Sequence, residues 1–142
     1  MEIGPPEVSP DRLALYERHR RGRGLSGPDR RPIDPKGYRD FLVESCVDTF
    51  ELRMRHKGRL VGVSITDRGA SSLSAVYCCY DPELAKLSLG TYAILKQVEL
   101  CRRWGMKHLY LGLYVADNAH MRYKARFRPH ERLVDGRWTE FR

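Results

Sequence analysis

The order of secondary structure in this chain is decided by the stretch LSAVYCCYDPELAKLSLGTYAILKQVELC, residues 73–101. Its first part, residues 73–80, is apolar throughout and predicts a central strand that an Asp-Pro pair ends. Residues 88–101 then repeat apolar side chains every three or four positions, which predicts an amphipathic helix. Residues 108–115 resemble a strand covered on both faces, so the whole region predicts a strand–helix–strand crossover.

Upstream of this crossover, the sequence predicts two helices and a hairpin. Ser-Pro at residues 9–10 and Asp-Pro at residues 34–35 each place a capping side chain before a proline, which is typical of a helix start. Residues 50–55 alternate apolar and charged side chains, which indicates a strand with one solvated face. Residues 60–65 return after a Lys-Gly turn and complete the hairpin.

These elements predict a single α/β domain over residues 1–142, with helices on both faces of a mixed, mostly antiparallel sheet. Residues 1–9 carry no periodicity and are expected to be a flexible tail, and residues 20–34 are expected to form a flexible basic loop. Downstream, a short helix is predicted from Asn118, and an Asp-Gly pair at residues 135–136 predicts a terminal hairpin.

The composition narrows the class of protein. The 142 residues contain 26 Lys and Arg against 18 Asp and Glu, a net charge of +8, which favours a polyanionic partner and nucleic acid first. No apolar run approaches the roughly 18 residues of a membrane-spanning helix, and no secretory segment opens the chain. The four cysteines form no Cys-x-x-Cys pair, so we expect no metal site, reduced thiols and a cytoplasmic location.

The order of strand, glycine-containing loop, helix and strand is similar to the acyltransferase fold of the GCN5-related N-acetyltransferases. In that fold the helix start holds the acyl donor, and the next strand splays away to admit the acceptor amine. The resemblance implies a donor loop at residues 86–90 and a splayed strand at residues 108–115.

Several motifs carry a sharper resemblance: DRLALYERH, LVGVSITD, LSAVYCCYDP, SLGTYAILKQVE, YLGLYV and MRYKARFRP. In this order, from about Asp11 to Trp138, they resemble the C-terminal catalytic domain of the aminoacyl-tRNA–protein transferases, both arginyl-transferring and bacterial leucyl-transferring. The resemblance implies transfer of arginine or leucine from charged tRNA to the N-terminal amine of proteins beginning with Asp or Glu. In that N-degron pathway the added residue marks the protein for degradation. Aminoacyl-tRNA is the co-substrate, and no cofactor is expected.

Two departures from the family pattern stand out. Full-length members carry an N-terminal domain whose clustered cysteines bind a metal or an iron–sulfur cluster, and this chain is expected to lack it, as a fragment or a stand-alone relative. Residues 114–121 read Tyr-Val-Ala-Asp-Asn-Ala-His-Met where the family usually has Trp-Ile-x-x-Cys-x-Lys-Met. This change lies near the expected acceptor site, so a different substrate preference is expected.

The resemblance assigns the donor site to the start of the helix in the crossover. Backbone N–H groups at a helix start lack partners and can face a phosphate or carboxylate, and a glycine allows close approach. The residues expected to bind the charged tRNA terminus are Ser88, Leu89, Gly90 and Thr91. The alternative interpretation is an ordinary serine-capped helix with a packing glycine.

Attack by an amine on an ester carbonyl needs positioning, oxyanion stabilisation and a proton for the leaving ribose hydroxyl, without a Ser-His-Asp set. The candidate catalytic residues are Tyr123, Asp81 and Tyr110. Tyr123 ranks first because it lies in the matched YKARFRP segment, while Asp81 either orders the donor loop or acts as a base. A buried tyrosine can instead pack its ring and satisfy its hydroxyl locally.

Cations are expected for two negative ligands. The residues assigned to the acidic acceptor are Lys124, Arg126 and Arg128, with Tyr114. The residues assigned to tRNA phosphate are Arg18, Arg20, Arg21, Arg23, Arg30 and Arg31. A solvated charged surface is the alternative for both runs.

Two other functions stay open. An acyl-CoA-dependent N-acyltransferase would share the fold, but its donor loop ordinarily has two or more small residues, and here only Gly90 is small between the bulky Leu89 and Tyr92. The third candidate is a catalytically inactive tRNA-binding or adaptor domain.

Overall fold

A computed structural model of the chain describes residues 1–25, 27 and 31–142. These residues form two compact units, Met1–Tyr110 and Leu111–Arg142, where the sequence predicts one domain. Arg30, one of the arginines expected to contact phosphate, lies outside the described residues. None of the helices in the described part is long and apolar enough to cross a membrane.

The first unit is built on a five-stranded sheet. Its elements are β1 (Glu2–Gly4), α1 (Pro10–Gly22), α2 (Pro35–Leu42), β2 (Asp48–His56), β3 (Arg59–Arg68), β4 (Ser72–Tyr80), a 3-10 helix (Pro82–Leu87), α3 (Leu89–Arg103) and β5 (His108–Tyr110). The strands lie in the order β1-β2-β3-β4-β5, and only β4 and β5 run parallel. The predicted α/β fold with a mixed, mostly antiparallel sheet is confirmed, although β3 rather than β4 is central.

The two helix starts have the predicted caps. The Ser9 hydroxyl accepts a hydrogen bond from the amide of Arg12 at 3.4 Å, and the Asp34 carboxylate accepts one from Gly37 at 2.6 Å. A proline occupies the first turn of each helix, where its missing N–H costs nothing. Helix α1 continues to Gly22, so the basic segment predicted over residues 20–34 begins later than expected.

The expected tail contains a strand. β1 pairs antiparallel with β2 through Glu2 opposite Arg53, Ile3 opposite Leu52 and Gly4 opposite Glu51. β1 closes an otherwise open edge of the sheet through backbone hydrogen bonds. Because the strand has only three residues, it is too short to show a side-chain periodicity in the sequence.

Helices cover both faces of the sheet. On one face, α1 and α2 form an apolar cluster with β3 and β4, made of Leu15, Tyr16, Tyr38, Leu42, Leu60, Val63, Ile65 and Cys79. On the other face, α3 packs Leu100 and Cys101 against β2 and β4, and Leu89 and Ala93 against β2 and β3. The crossover helix is therefore held by apolar burial toward both of its ends, while buried Gln97 between them donates to Ser64 and Thr66 of β3.

The predicted solvated face of β2 is wrong at Glu51, which is fully buried. Arg12 of α1 lies over this strand and makes an ion pair with Glu51, with Nε of Arg12 at 3.1 Å from Oε2 of Glu51. Arg12 is itself buried and also reaches Glu7 at 2.6 Å. Alternation alone cannot show that a helix carrying the opposite charge covers the polar face.

The second unit contains a 3-10 helix (Arg122–Arg126) and a hairpin of β6 (His130–Val134) and β7 (Arg137–Phe141). Positive φ values at Asp135 and Gly136, 50° and 75°, confirm the predicted tight turn. The strand predicted over residues 108–115 ends at Tyr110. Gly112 has a φ of 74°, which extended backbone cannot adopt, and the Leu113 carbonyl accepts a hydrogen bond from Lys124 Nζ at 2.7 Å.

The buried pair between Arg12 and Glu51 generates a prediction. Arg12→Met leaves the Glu51 carboxylate buried with only the longer Arg53 contact, at 3.6 Å, and should lower the free energy of unfolding by about 3 kcal/mol. Lys36→Met, which removes an exposed ion pair with Asp40, is the matched control and should leave stability nearly unchanged. Urea unfolding followed by far-UV circular dichroism measures both, and equal effects of the two variants would contradict this account.

Candidate active site

The sheet opens between β4 and β5. Their ladder ends at the pair of Ser74 and Tyr110, whereas β4 continues along β3 to Tyr80. Among the described strands, none pairs with this outer edge of β4 beyond Ser74. The register of β4 against β3 shifts at Val76, which places an extra residue in β4 beside the opening.

The last residue of β4 is fixed by the end of α1. Nδ1 of His19 lies 3.2 Å from the amide nitrogen of Tyr80 and 3.1 Å from its carbonyl oxygen, and the two rings are 4.5 Å apart. Arg23 Nη1 donates to the Tyr80 hydroxyl at 3.0 Å. Burial lowers the pKa of His19, and the Arg23 charge lowers it further against the opposing Tyr80 contact. A neutral His19 thus accepts from the Tyr80 amide.

The next residue, Asp81, precedes the 3-10 helix that leads to the expected donor loop and is fully buried. Its Oδ1 accepts a hydrogen bond from the Glu83 amide at 3.1 Å, which caps the 3-10 helix. Its Oδ2 lies 3.0 Å from Nη2 of Arg59 and 3.8 Å from Nε of Arg18. Since a general base needs a lone pair that substrate can reach, this arrangement favours the loop-ordering role over the base.

Helix α1 and the donor loop also approach each other closely at Gly22. A methyl group on Gly22 would lie 2.4 Å from Cγ of Pro82, closer than any side chain permits. The glycine is therefore required by the contact between the end of α1 and the start of the loop.

The start of α3 has no side-chain cap. Ser88 adopts left-handed backbone angles, with φ 48° and ψ 46°, and its hydroxyl makes no capping hydrogen bond, so the serine-capped alternative does not hold. Within the described part of the chain, the amides of Leu89, Gly90 and Thr91 have no hydrogen-bond acceptor. Three unpaired N–H groups at the positive end of a helix favour an anion.

Gly90 brings this helix start against the end of β4. A methyl group on Gly90 would lie 3.3 Å from Cε1 of Tyr80, a tight contact that leaves little room for a larger residue. Leu87 and Tyr92 flank the unpaired amides and are exposed, 47% and 38% of their surface respectively. The amides therefore lie between exposed apolar side chains. The other candidate of this unit, Tyr110, ends β5 and is 41% exposed.

The structure divides the basic stretch of residues 18–31 among different roles. Arg20 is 4% exposed, pairs with Glu17 at 3.6 Å and lies 5.4 Å from the Tyr16 ring centre, so burial disfavours its expected contact with tRNA phosphate. Arg23 contacts Tyr80 and Arg18 faces Asp81, while the remaining described members, Arg21 and Arg31, are exposed. Arg20 is buried because it continues the helical stripe that packs α1 on the sheet.

The second unit holds the remaining candidates. Burial lowers the pKa of Lys124, whose ammonium group donates to the Leu113 carbonyl. Arg126 is exposed, and Arg128 is exposed and donates to the carbonyl of Arg142. Tyr123 is half-buried, and Tyr114 lies beneath the guanidinium group of Arg132, 4.1 Å from its ring centre. The Lys124 ammonium group therefore holds the backbone of this unit, and a substrate would compete with the Leu113 carbonyl for it.

The sequence interpretation missed three residues of the donor region: His19, Arg59 and Tyr80. His19 follows Leu15 by four positions and Tyr16 by three, so the helical period already directs it to the apolar face. Arg59 opens β3 after the Lys-Gly turn, and β3 pairs with the end of β4. No local pattern in the sequence joins these residues, because they meet only through the sheet.

The cysteines are free thiols: Cys79 and Cys101 are buried, Cys78 is half-buried and Cys46 is exposed. Burial raises the pKa of the Cys79 thiol, so it stays protonated and packs as an apolar group. In the described ranges, no three His, Cys, Asp or Glu side chains are arranged to hold a metal ion.

The comparison of sequences identifies the family, and the comparison of structures identifies the fold. The sequence profile described as "Arginine-tRNA-protein transferase, C terminus" matches residues 11–134. Proteins named aspartate/glutamate leucyltransferase from Aeromonas hydrophila and Acinetobacter baumannii are 44% and 41% identical over 129 and 124 residues. The alignments cover 91% and 87% of this chain but 54% and 45% of those proteins, so the chain spans about half the length of its curated relatives.

Two solved structures with the same fold are N-acetyltransferases. The ribosomal-protein-S18-alanine N-acetyltransferase from Escherichia coli superposes with a TM-score of 0.64 at 14% identity, over 92% of this chain and 78% of that one. The PaiA N-acetyltransferase from Thermoplasma acidophilum, solved with coenzyme A, gives 0.59 at 11% identity, over 97% of this chain and 96% of that one. At these identities the likeness concerns the fold alone, and it confirms the predicted fold family.

The contact between His19 and Tyr80 predicts a pH dependence. Because folding lowers the pKa of His19 below 6.5, the unfolded chain binds a proton that the folded chain excludes, so stability should fall as the pH drops below about 6.5. His19→Asn keeps an oxygen that can accept from the Tyr80 amide but removes the titrating imidazole. The melting temperature of this variant should therefore fall less than that of the wild type between about pH 7.5 and pH 5.5. Exposed His56→Asn is the control. An unchanged pH dependence in His19→Asn would contradict the assignment.

Proposed function

The chain belongs to the arginine-tRNA–protein transferase C-terminal family, and on that premise we propose that it is an aminoacyltransferase acting on the N-terminal amine of proteins. Its donor is aminoacyl-tRNA, and its acceptors begin with Asp or Glu. Leucine is the proposed transferred residue because the relatives above are named as leucyltransferases. The added residue serves an N-degron pathway in the cytoplasm, as it does in the family that the sequence resembles.

The proposed reaction is attack of the neutral α-amine on the ester carbonyl of the charged tRNA. An amide C–N bond forms, the ester C–O bond breaks, and the amine proton passes to the leaving ribose oxygen. An α-amino group has a pKa of roughly 7.7–8.0, so a substantial fraction is neutral near pH 7.5 without a strong base. The protein must hold the two reactants together and stabilise the oxyanion.

One observation carries this proposal: the uncapped amides of Leu89, Gly90 and Thr91, beside the opening between β4 and β5. The amides supply donors for the terminal phosphate of the charged tRNA, and the opening admits the amine. Exposed Leu87 and Tyr92 offer apolar surface to the ester-linked side chain, which suits leucine. Asp81 orders this loop through its cap and its arginine partners.

The remaining assignments extend the same proposal. Tyr110 and Tyr123 are proposed donors to the oxyanion or the leaving oxygen, and Arg126 and Arg128 are proposed partners of the acidic acceptor, with Lys124 and Tyr114 beside them. Arg21 and Arg31 are exposed and serve as proposed contacts to tRNA phosphate, with Arg18 nearer the loop.

A transfer assay tests the function. The pure chain is incubated with radiolabelled leucyl-tRNA or arginyl-tRNA and with peptides that differ only in beginning with Asp, Glu or Gly. We expect label on the Asp and Glu peptides, and none on the same peptides with an acetylated N-terminus. Binding of tRNA without transfer would instead assign a binding module. Acetylation of an amine from acetyl-CoA without label transfer would assign an acyl-CoA-dependent enzyme.

Substitutions at Gly90 test the donor site. A side chain here would press against Tyr80 and displace the helix start that carries the unpaired amides, so donor binding should weaken with size from Gly90→Ala to Gly90→Leu, and Gly90→Trp should abolish transfer. Arg102→Ala, exposed near the far end of the same helix, is the control and should retain wild-type transfer. Initial rates against aminoacyl-tRNA concentration measure the effect, with thermal melting to verify folding. Full activity in folded Gly90→Trp would remove this loop from the mechanism.

A further inference from the structure

The hairpin of the second unit holds one arginine in an unusual setting. The guanidinium carbon of Arg132 lies 4.1 Å from the ring centre of Tyr114 and 4.2 Å from that of Phe141. Aromatic rings attract a cation at these distances, and two rings fix the plane of the guanidinium group more firmly than one.

A third ring fixes the guanidinium group from its edge. Arg132 Nε donates to Nε2 of His130 at 3.0 Å, which places the His130 proton on Nδ1, 2.8 Å from the Phe127 carbonyl oxygen. His130 is paired with Phe141 across the hairpin, and their rings stack at 5.5 Å with an interplanar angle of 10°. Arg132, His130 and Phe141 therefore form one packed group with Tyr114.

The two terminal nitrogens of Arg132 have no hydrogen-bond partner among the described residues. Among the described residues, Nε is the atom of Arg132 that makes a hydrogen bond, and no carboxylate forms an ion pair with this side chain. The neighbouring acidic residue Glu140 pairs with Arg142 instead. The side chain is half-buried, and neither Nη group makes a hydrogen bond to a described residue.

We propose that Arg132 is the specificity-determining residue for the acidic acceptor, and that its two Nη groups bind the side-chain carboxylate of an N-terminal Asp or Glu. This inference rests on the proposed function and names a residue that the sequence did not single out. A guanidinium fork matches a carboxylate through two parallel hydrogen bonds. The flanking Tyr114 and Phe141 rings offer apolar surface to the methylene groups of such a ligand.

The setting favours a carboxylate over a nucleic-acid backbone. Contacts to RNA phosphate serve mainly to position the duplex or strand, and they come from several exposed cations that need no fixed plane. Arg132 is instead a single, half-buried cation held between two aromatic rings.

Direct binding tests the inference without relying on transfer. Two peptides that differ only in beginning with Glu or Gln are titrated into the full chain, and a short single-stranded RNA ending in CCA is titrated separately. Wild type should prefer the Glu peptide, and Arg132→Gln should lose that preference by roughly 10- to 100-fold. Arg132→Lys should retain part of it, because the charge remains without the fork. Arg137→Gln, on the same hairpin, is the matched control and should bind as wild type.

The outcomes separate the two proposals. A Glu preference that persists in Arg132→Gln, or that is absent from wild type, overturns the inference. Loss of RNA binding in Arg132→Gln with an intact Glu preference overturns it in favour of a nucleic-acid contact. If wild type shows an Arg132-dependent Glu preference but transfers no label from any aminoacyl-tRNA, the carboxylate site stands and the proposed function fails. The melting temperature of each variant verifies that the hairpin is folded.

Discussion

The first unit depends on the end of β4. Within a few residues the chain ends this strand at Tyr80, forms the 3-10 helix and begins the crossover helix α3 at Leu89. His19 completes the hydrogen bonding of Tyr80, and Asp81 caps the following 3-10 helix. Both residues are buried, so their polar groups must be paired where they lie. Loss of either would leave the loop without a fixed start.

The position of the unpaired amides follows from the fixed positions of Tyr80 and Asp81. Tyr80 provides the surface on which Gly90 packs, and Arg59 and Arg18 keep the Asp81 carboxylate in place from β3 and α1. The unpaired amides are thus positioned by three elements. Amides held in this way can bind an anion without a cost of reorganisation.

Much of the fold was predictable from the sequence, and the exceptions share a physical cause. The caps at Ser9 and Asp34, the turn at residues 135–136 and the crossover helix are local patterns, and the structure confirms them. The strand β1, the burial of Glu51 and the early end of β5 depend on a partner strand, a covering helix and the backbone angle of Gly112. Neither the hydrophobic periodicity nor the composition of the sequence indicates this strand, this helix or this backbone angle.

The candidate site shows the same division. The sequence motifs predict a donor loop at residues 86–90, and the structure has an uncapped helix start in this segment. His19 and Arg59 reach the loop only through the sheet, and Arg132 meets Tyr114 only after the hairpin folds. Motifs therefore indicate which segment carries the chemistry, whereas the residues that orient it emerge from tertiary packing.

The central claim is that the first-turn amides of α3 receive the charged end of tRNA. It is tested most directly by following the backbone amide resonances of ¹⁵N-labelled protein while adding a short tRNA acceptor stem that carries leucine through a stable amide link. The account predicts that the amides of Leu89, Gly90 and Thr91 shift and become protected from solvent exchange. Unchanged resonances at these three positions, with the stem bound elsewhere on the chain, would contradict it.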